Sequence, residues 1–272
     1  MAKNVKKEKK SAAVAPQKKQ TTFVLSEKTQ GFIFIGLIAL LLLILLKPFV
    51  LDGLSPQGVD VIGSIGASNQ ITQYHKESGE RALWNPNLFS GMPVYHRLPA
   101  VVFSADTVIR LLSRVINRIF LYYFLAALGF YLLMRHFKLS PPVALFSALI
   151  FVLMPHYKSL YIEGHFSKFT AIMTLPWVFY AFYYFLEKRN LFSAALFSLA
   201  FGVQIRTQHY QIVFYTALLI FAVGVAPFVR DLLDKNYKRF SKSTLILVAA
   251  VVLALTMSAQ PLFLAKEYLP YS

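Results

Sequence analysis

The stretch GFIFIGLIALLLLILLKPFV (31–50) decides the fold of this chain, because it is almost entirely apolar. Lys47 is its one charged residue, and a helix over it covers about 30 Å, the hydrocarbon thickness of a bilayer. A basic segment precedes it, as in a signal peptide, but the apolar run is too long and lacks a small-residue cleavage site. The sequence therefore predicts a retained first transmembrane span.

The rest of the composition agrees with a membrane protein. Hydrophobic residues make up 57% of the chain and the mean hydropathy is +0.54, too apolar for an ordinary soluble domain. Further apolar blocks predict six more spans, at 119–134, 143–154, 169–186, 191–205, 211–229 and 244–257. The predicted fold is an all-α, polytopic transmembrane helix bundle of about seven spans.

Two of these blocks are short for a full crossing. The block 143–154 either ends at Met154 or continues past a kink at Pro155 toward Ile162. The block 191–205 is either a short span or a re-entrant helix. The sequence leaves both alternatives open.

The net charge of +16 is concentrated outside the apolar blocks. Residues 1–28 predict a disordered basic tail, and most other cations lie in short connections such as RDLLDKNYKRFSK. By the positive-inside rule the tail is cytoplasmic and the polar segment 51–118 forms a first extracytoplasmic loop. This pattern favours anionic membrane lipid as a partner and argues against nucleic acid. Cysteine is absent, which excludes disulfides and thiolate metal sites.

Residues 29–272 predict one transmembrane domain. The sequence stops at AKEYLPYS, which resembles the start of another external loop. We therefore expect that the chain is the N-terminal part of a larger multi-pass protein.

Within the first loop, residues 103–119 predict an amphipathic helix on the membrane surface. Apolar residues recur at helical spacing beside a stripe of Arg110, Arg114 and Arg118. Ser104 is the expected N-cap, and Asp106 is favourable in the first helical turn.

The stretch ALWNPNLFSGMPVYH (82–96) breaks helical structure twice and carries several aromatic side chains. We predict that it folds as a cap over a reaction site, formed by Trp84, Asn85, Gly91 and Pro93. The alternative is a packed turn between two surface helices.

All three predicted external connections carry polar groups beside apolar helix ends. They are Asp52 and Asp60 in the first, Glu163, His165 and Lys168 in the second, and Gln204, Arg206 and His209 in the third. Ionisable groups near hydrocarbon are unfavourable unless they serve a polar cavity, so their convergence predicts such a cavity. The alternative is that these residues are polar because loops meet water.

Three sequence blocks, GVDVIGS…YHKESGERALWNPNLFSGMP, EGHFSKFTAIMTLPWVF and QIRTQHYQIVFYTALL, occur in this order. In this respect the chain resembles the YfhO-like family of bacterial multi-pass membrane proteins, which belongs to the GT-C class of glycosyltransferases. The resemblance covers roughly residues 50–272. It implies a many-helix bundle in the bacterial inner membrane, with surface-lying helices in the first loop.

The resemblance also implies sugar transfer from a polyprenyl-phosphate donor to an extracytoplasmic cell-envelope acceptor. Asp60 matches the catalytic acid of the class, and Asp52 matches it less well. His165 and Lys168 fit the second block, and Gln204, Arg206 and His209 fit the third. Glu163 stands where the family requires no acid, and with Asp52 it is a possible acidic helper.

This chemistry needs one carboxylate as a base for the acceptor hydroxyl and cations for the departing phosphate. A divalent metal is also conceivable, although close ligand pairs are absent from the sequence and we assign no metal ligand. Two other classes remain open, a transporter or flippase and a non-catalytic envelope-assembly subunit. A transporter would place its polar groups near the bilayer midplane on broken helices.

Overall fold

A computed structural model describes residues 25–95 and 103–271. In these residues the fold is all-α apart from one two-stranded hairpin. The first loop holds α3, β1, β2 and α4, and the remaining helices form the bundle. The elements are α1 Glu27–Leu45, α2 Lys47–Val50, α3 Val59–Ser78, β1 Trp84–Asn85, β2 Met92–Pro93, α4 Thr107–Leu112, α5 Arg118–His136, α6 Pro141–Val152, α7 Pro155–Glu163, α8 Phe166–Lys188, α9 Leu191–Ile205, α10 Tyr210–Leu233, α11 Tyr237–Met257 and α12 Ala259–Tyr268.

Six helical segments are long and apolar enough to cross a membrane. They are Glu27–Leu45, Arg118–His136, Pro141–Glu163, Phe166–Lys188, Tyr210–Leu233 and Tyr237–Met257. Large apolar side chains such as Phe32, Phe221 and Leu245 are exposed on their outer faces. An exposed apolar belt of this kind is what a bundle surrounded by lipid requires.

The third segment resolves one of the open alternatives. Helices α6 and α7 together span Pro141–Glu163, so the segment does continue past Pro155. Proline lacks a backbone N–H and begins a helix well, which explains why α7 restarts there with Met154 as its N-cap.

Helix α9 has 15 residues and is shorter than the six spans. It still runs between the two ends of the bundle, because Arg189 before it pairs with Asp231, and Gly202 near its end accepts a hydrogen bond from Ser258. It packs between α8 and α11, where Phe197 and Ile205 are buried. The structure therefore shows six candidate spans where the sequence predicts about seven, and the seventh predicted span is this shorter apolar helix.

Contacts between connections define two ends of the bundle. We call one of them the α3 end. There the N–H of Gly58 donates a hydrogen bond to the carbonyl of Ile162, and Asn117 Nδ2 donates to the carbonyl of Phe49 at 2.9 Å. At the opposite end, Arg135 pairs with Glu27 at 2.5 Å. His136 lies 3.7 Å from Glu187 at this same end.

Two buried clusters fill the bundle, and α8 contributes to both. Phe169 near its start packs among α1, α5, α6 and α7, with Tyr123 and Tyr161 around its ring. Phe182 nearer its end packs among α9, α10 and α11. Helix α8 is thus the central element that holds the two halves together.

Several boundary predictions are wrong. The tail was predicted to end at residue 28, but Ser26 caps α1, which begins at Glu27; residues 1–24 lie outside the described range. The first span breaks at Leu46, because Pro48 starts the separate short helix α2. In the final segment AKEYLPYS, predicted as the start of a loop, helix α12 continues to Tyr268 and a short 3-10 helix follows at Leu269–Tyr271.

The predicted amphipathic helix over residues 103–119 is also wrong. Helix α4 covers only Thr107–Leu112, and the chain turns before α5 begins at Arg118. Asp106 rather than Ser104 is the N-cap, because α4 begins at Thr107, and the Ser104 hydroxyl donates to the Asp106 carboxylate at 2.6 Å. Asp106 is in turn held by an arginine of α9, a contact that the local pattern does not contain.

Candidate functional site

The start of α3 is locked against the end of α7 by two glycines. The buried Gly58 donates its N–H to the carbonyl of Ile162 at 3.1 Å. A Cβ at Gly58 would lie 2.5 Å from the Cα of Glu163, closer than real side chains approach. Gly164 ends α7 at φ +95°, and a Cβ there would lie 2.7 Å from Cγ2 of Val61.

This close docking predicts that Gly58→Ala will destabilise the protein. The added methyl must push backbone away from backbone, and such overpacking costs about 1–3 kcal/mol. Gly63→Ala and Gly66→Ala are matched controls, because a Cβ meets nothing within 4 Å at either position of the same helix. These controls should be neutral or slightly stabilising.

The measurement is the apparent midpoint of thermal unfolding in detergent, together with protease accessibility of the first loop. Equal midpoints for Gly58→Ala and the two controls would contradict the docking.

The docking brings Asp60 to His165. Asp60 lies in the first turn of α3, where the helix N-terminus favours a negative charge, and His165 is the N-cap of α8. Their side chains approach at 3.5 Å, between Oδ2 of Asp60 and Nε2 of His165. Both are open to solvent, with 61% of Asp60 and 51% of His165 exposed. A small polar molecule can therefore reach both groups.

Lys168 and His209 add to this group. Lys168 follows His165 by one helical turn, and His209 caps α10, with its Nδ1 accepting from the N–H of Ile212 at 3.4 Å. Burial lowers the pKa of His209 below 6.5, a backbone hydrogen bond opposes this shift, and the nearby positive charge of Lys168 adds to it. His209 is therefore neutral at neutral pH. Because the folded state resists protonation, its contribution to stability falls as the pH drops below 6.5.

Arg206 lies at the end of α9 and forms an ion pair. Its guanidinium pairs with Asp106, which is 100 residues away in the sequence. The Arg206 side chain is 5% exposed and the Asp106 side chain 25%. Nη1 of Arg206 is buried and makes no hydrogen bond within residues 25–95 and 103–271. One donor of the guanidinium thus remains for a further acceptor.

Asp106 is ionised at neutral pH in this arrangement. Burial raises the pKa of Asp106, but the hydrogen bond from Ser104 and the charge of Arg206 outweigh it, so the pKa lies below 3.8. The stability that this pair contributes is therefore present at neutral pH and is lost as the pH falls through the lowered pKa.

A cleft of about 500 Å³ opens beside this pair. Its polar lining includes Ser104 and Arg206, and its apolar lining includes Phe103, Leu199 and Met257. The cleft thus combines a guanidinium that is paired with a carboxylate and several apolar side chains.

Gln204 has a different environment. It is fully buried, and its Nε2 donates to the carbonyl of Ala171 at 3.0 Å. Its Oε1 has no hydrogen-bond partner among the described residues. Gln204 therefore ties α9 to α8 inside the bundle, beneath the loops.

The two possible acidic helpers, Asp52 and Glu163, have different surroundings. Asp52 pairs with Lys47 at 2.9 Å, and both are exposed. Glu163 ends α7, and its Oε2 would lie 2.7 Å from a Cβ at Gly58. Glu163 is thus close to the backbone that positions Asp60.

The predicted cap is a small hairpin that packs on the middle of α3. Trp84 pairs with Pro93 and Asn85 pairs with Met92 in antiparallel register. The fully buried Asn85 donates from Nδ2 to the carbonyl of Ala67 at 3.0 Å. The hairpin therefore lies about two turns along α3 from Asp60 and leaves that carboxylate exposed.

Gly91 completes the turn of the hairpin. Phe89, Ser90 and Gly91 have φ values of 48°, 63° and 117°, and a Cβ on Gly91 would lie 2.6 Å from the Trp84 ring. The turn thus needs glycine for both conformation and space. His96, the last residue of the predicted stretch, lies outside the described residues.

Three residues of this site were not singled out from the sequence as functional. Asp106 was assigned only a favourable place in a helical turn, and Gly58 and Gly164 were not considered. The GHF and QGVD motifs contain the glycines, but only their meeting in space reveals the need for a missing side chain. Groups of three or more His, Asp or Glu able to hold a metal are absent from the described residues.

Six spanning segments with polar groups gathered at one end define a multi-pass helical membrane protein. The chain belongs to the family described as the 6-pyruvoyl-tetrahydropterin synthase related domain, a membrane protein, whose model matches residues 111–260, more than half of the chain. The match includes the second and third connections and begins after Asp60 and Asp106. Curated proteins and solved structures gave no match to the chain.

Proposed function

We propose that this protein is a membrane glycosyltransferase of the GT-C class, similar to the YfhO-like family. It moves a sugar from a polyprenyl-phosphate donor to an extracytoplasmic cell-envelope acceptor. The observation that carries the proposal is the exposed Asp60 carboxylate, 3.5 Å from the His165 imidazole, at the α3 end of the bundle.

In the proposed reaction Asp60 takes the proton of the acceptor hydroxyl. The oxygen then attacks the anomeric carbon with inversion, the bond from that carbon to the phosphate oxygen breaks, and its electron pair leaves with the phosphate. One carboxylate suffices, because the phosphate departs as a stable anion and needs no acid. His165 orients the carboxylate of Asp60 across the 3.5 Å contact.

Cations stabilise the charge that develops on the phosphate. Arg206 lines the cleft, and the fork of a guanidinium suits phosphate oxygens. Lys168 adds a second positive charge. His209, neutral because of its lowered pKa, serves as a hydrogen-bonding group rather than as a cation.

The charges at the two ends support an orientation with the α3 end outside. The opposite end carries the basic connections after α5, α8 and α10, and the basic tail leads into α1 at that same end. The positive-inside rule places such segments in the cytoplasm, in this proposal on the inner face of a bacterial cytoplasmic membrane. Asp60 and its neighbours then face the extracytoplasmic side, where lipid-linked sugars are used.

The test compares membranes of cells with and without the protein. Loss of one sugar from an envelope glycan, together with accumulation of its polyprenyl-phosphate form on the outer leaflet, supports the transferase. Accumulation of that donor on the inner leaflet would instead identify a flippase. If the glycan is lost without the protein and is restored by a variant that lacks the Asp60 and Arg206 side chains, the protein is an assembly subunit.

A further inference from the structure

A second polar cavity lies at the opposite end of the bundle, far from Asp60. It has a volume of about 430 Å³ and is formed by the ends of α8 and α10 and the start of α11. Its charged lining consists of Arg189, Arg230, Asp231, Asp234 and Arg239. Three guanidinium groups face two carboxylates, so the cavity has an excess of positive charge.

A buried ion pair forms the floor of this cavity. Arg189 pairs with Asp231, and these side chains are 9% and 7% exposed. Arg189 also approaches the carbonyl of Pro227 at 3.5 Å, so its donors are directed inward. The pair is nearly neutral together, which leaves Arg230, Arg239 and Asp234 to give the cavity its excess of positive charge.

Arg239 is only weakly held by the protein. Its Nε lies 3.7 Å from Oδ1 of Asp231, and 56% of its side chain is exposed. Arg230 is exposed at the last turn of α10. Both can turn toward an anion at the mouth of the cavity.

An apolar crevice of about 400 Å³ continues below the polar cavity into the bundle. Phenylalanines from α8, α9, α10 and α11 line it, including Phe182, Phe197, Phe221 and Phe240. The two cavities meet at Phe228, because the Arg189 guanidinium lies 5.1 Å above its ring and the ring packs edge-on against Phe240.

Among the described residues, one polar atom of the crevice wall lacks a hydrogen-bond partner that a bound molecule could supply. The hydroxyl of Thr244 is buried in the wall and has no hydrogen-bond partner in the part of the chain that the structure describes. An ester oxygen of a molecule in the crevice would supply the missing partner.

We infer that the two cavities together bind one anionic phospholipid from the adjacent leaflet. Its phosphate is held between Arg230 and Arg239, and one acyl chain lies along the phenylalanines of the crevice. Arginine forms charge-assisted hydrogen bonds to phosphate, and a hydrocarbon chain fills an apolar space that water cannot hydrate favourably. A free phosphate would leave the crevice empty, and a neutral lipid would leave the mouth with unbalanced positive charge.

The test measures lipids retained by the full-length protein in native mass spectrometry after reconstitution with phosphatidylglycerol or phosphatidylcholine. We expect phosphatidylglycerol to be retained at least ten times more strongly than phosphatidylcholine. The double substitution Arg230→Gln and Arg239→Gln should abolish that preference, and Lys138→Gln, at the same end of the bundle, should preserve it. Ala217→Phe, which fills the crevice from α10, should lower retention of the lipid without changing the charge.

Three outcomes would overturn the inference: equal retention of both lipids, unchanged retention in the double variant, or full displacement by inorganic phosphate. Thermal midpoints equal to that of the unmodified protein would show that each variant is folded. Because this site lies at the other end of the bundle from Asp60, the double variant should keep its sugar transfer. A failed lipid test and a failed transferase test are therefore distinguishable.

Discussion

Asp60→Asn is expected to lower sugar transfer by at least about 100-fold, the usual contribution of a general base. Asparagine has nearly the same shape and suits the first turn of α3, but its amide cannot accept the proton of the acceptor hydroxyl. Because 61% of the side chain is exposed, the substitution leaves no buried group without a partner. The loss should therefore appear in kcat with little change in stability.

The measurement is transfer of a labelled sugar by membranes that contain equal amounts of each variant. Glu77→Gln is the matched control, since Glu77 is an exposed acid near the other end of the same helix. Its transfer should equal that of the unmodified protein. Normal transfer by Asp60→Asn would remove the proposed base, and an equal loss in both variants would point to a general effect on α3.

Asp106→Ala is expected to produce the largest loss of stability. It leaves the guanidinium of Arg206, which is 5% exposed, without its carboxylate. Removing one partner of a buried ion pair costs about 3–5 kcal/mol, and the lower part of that range applies because Asp106 is one-quarter exposed. Asp106→Asn keeps an acceptor for Ser104 and Arg206 and should lose less.

The apparent midpoint of thermal unfolding in detergent measures this effect. The control is Asp52→Ala, which removes an ion pair with both partners exposed, worth about 0–1 kcal/mol. The difference between the two variants should shrink as the pH is lowered and Asp106 becomes protonated. Equal midpoints for Asp106→Ala and Asp52→Ala at neutral pH would show that the Asp106–Arg206 pair does not anchor α4.

The sequence predicted most of the bundle, because a long local run of apolar residues is enough to indicate a transmembrane span. The first span follows from hydropathy alone, whereas the continuation past Pro155 is one of two alternatives that the sequence leaves open and the structure decides. Helix α3 is different. It forms over a polar segment with no apolar stripe, and its residues pointed only to a loop until the docking on α7 was visible.

The sequence predicted the end of the bundle at which the site residues lie, but it did not predict which side chains they contact. The order of spans places Asp60, His165 and Arg206 at one end, and the structure does bring Asp60 to His165. It pairs Arg206 with Asp106 across 100 residues, and a sequence holds no local sign of such a contact. The turn residues of the stretch 82–96 predicted a folded cap or a packed turn, and only the Asn85 contact with Ala67 shows that it packs on the middle of α3.

The most direct test of the site is cross-linking between positions 60 and 165. The chain has no cysteine, so Asp60→Cys and His165→Cys introduce the sole pair of thiols. A short bis-methanethiosulfonate should link them within the folded protein in native membranes. It should not link the control pair Glu77→Cys and His165→Cys, in which the first thiol lies at the other end of α3. Equal cross-linking of both pairs would contradict the proposed contact between Asp60 and His165. Absence of a cross-link between positions 60 and 165, although each single cysteine reacts with the reagent, would contradict it as well.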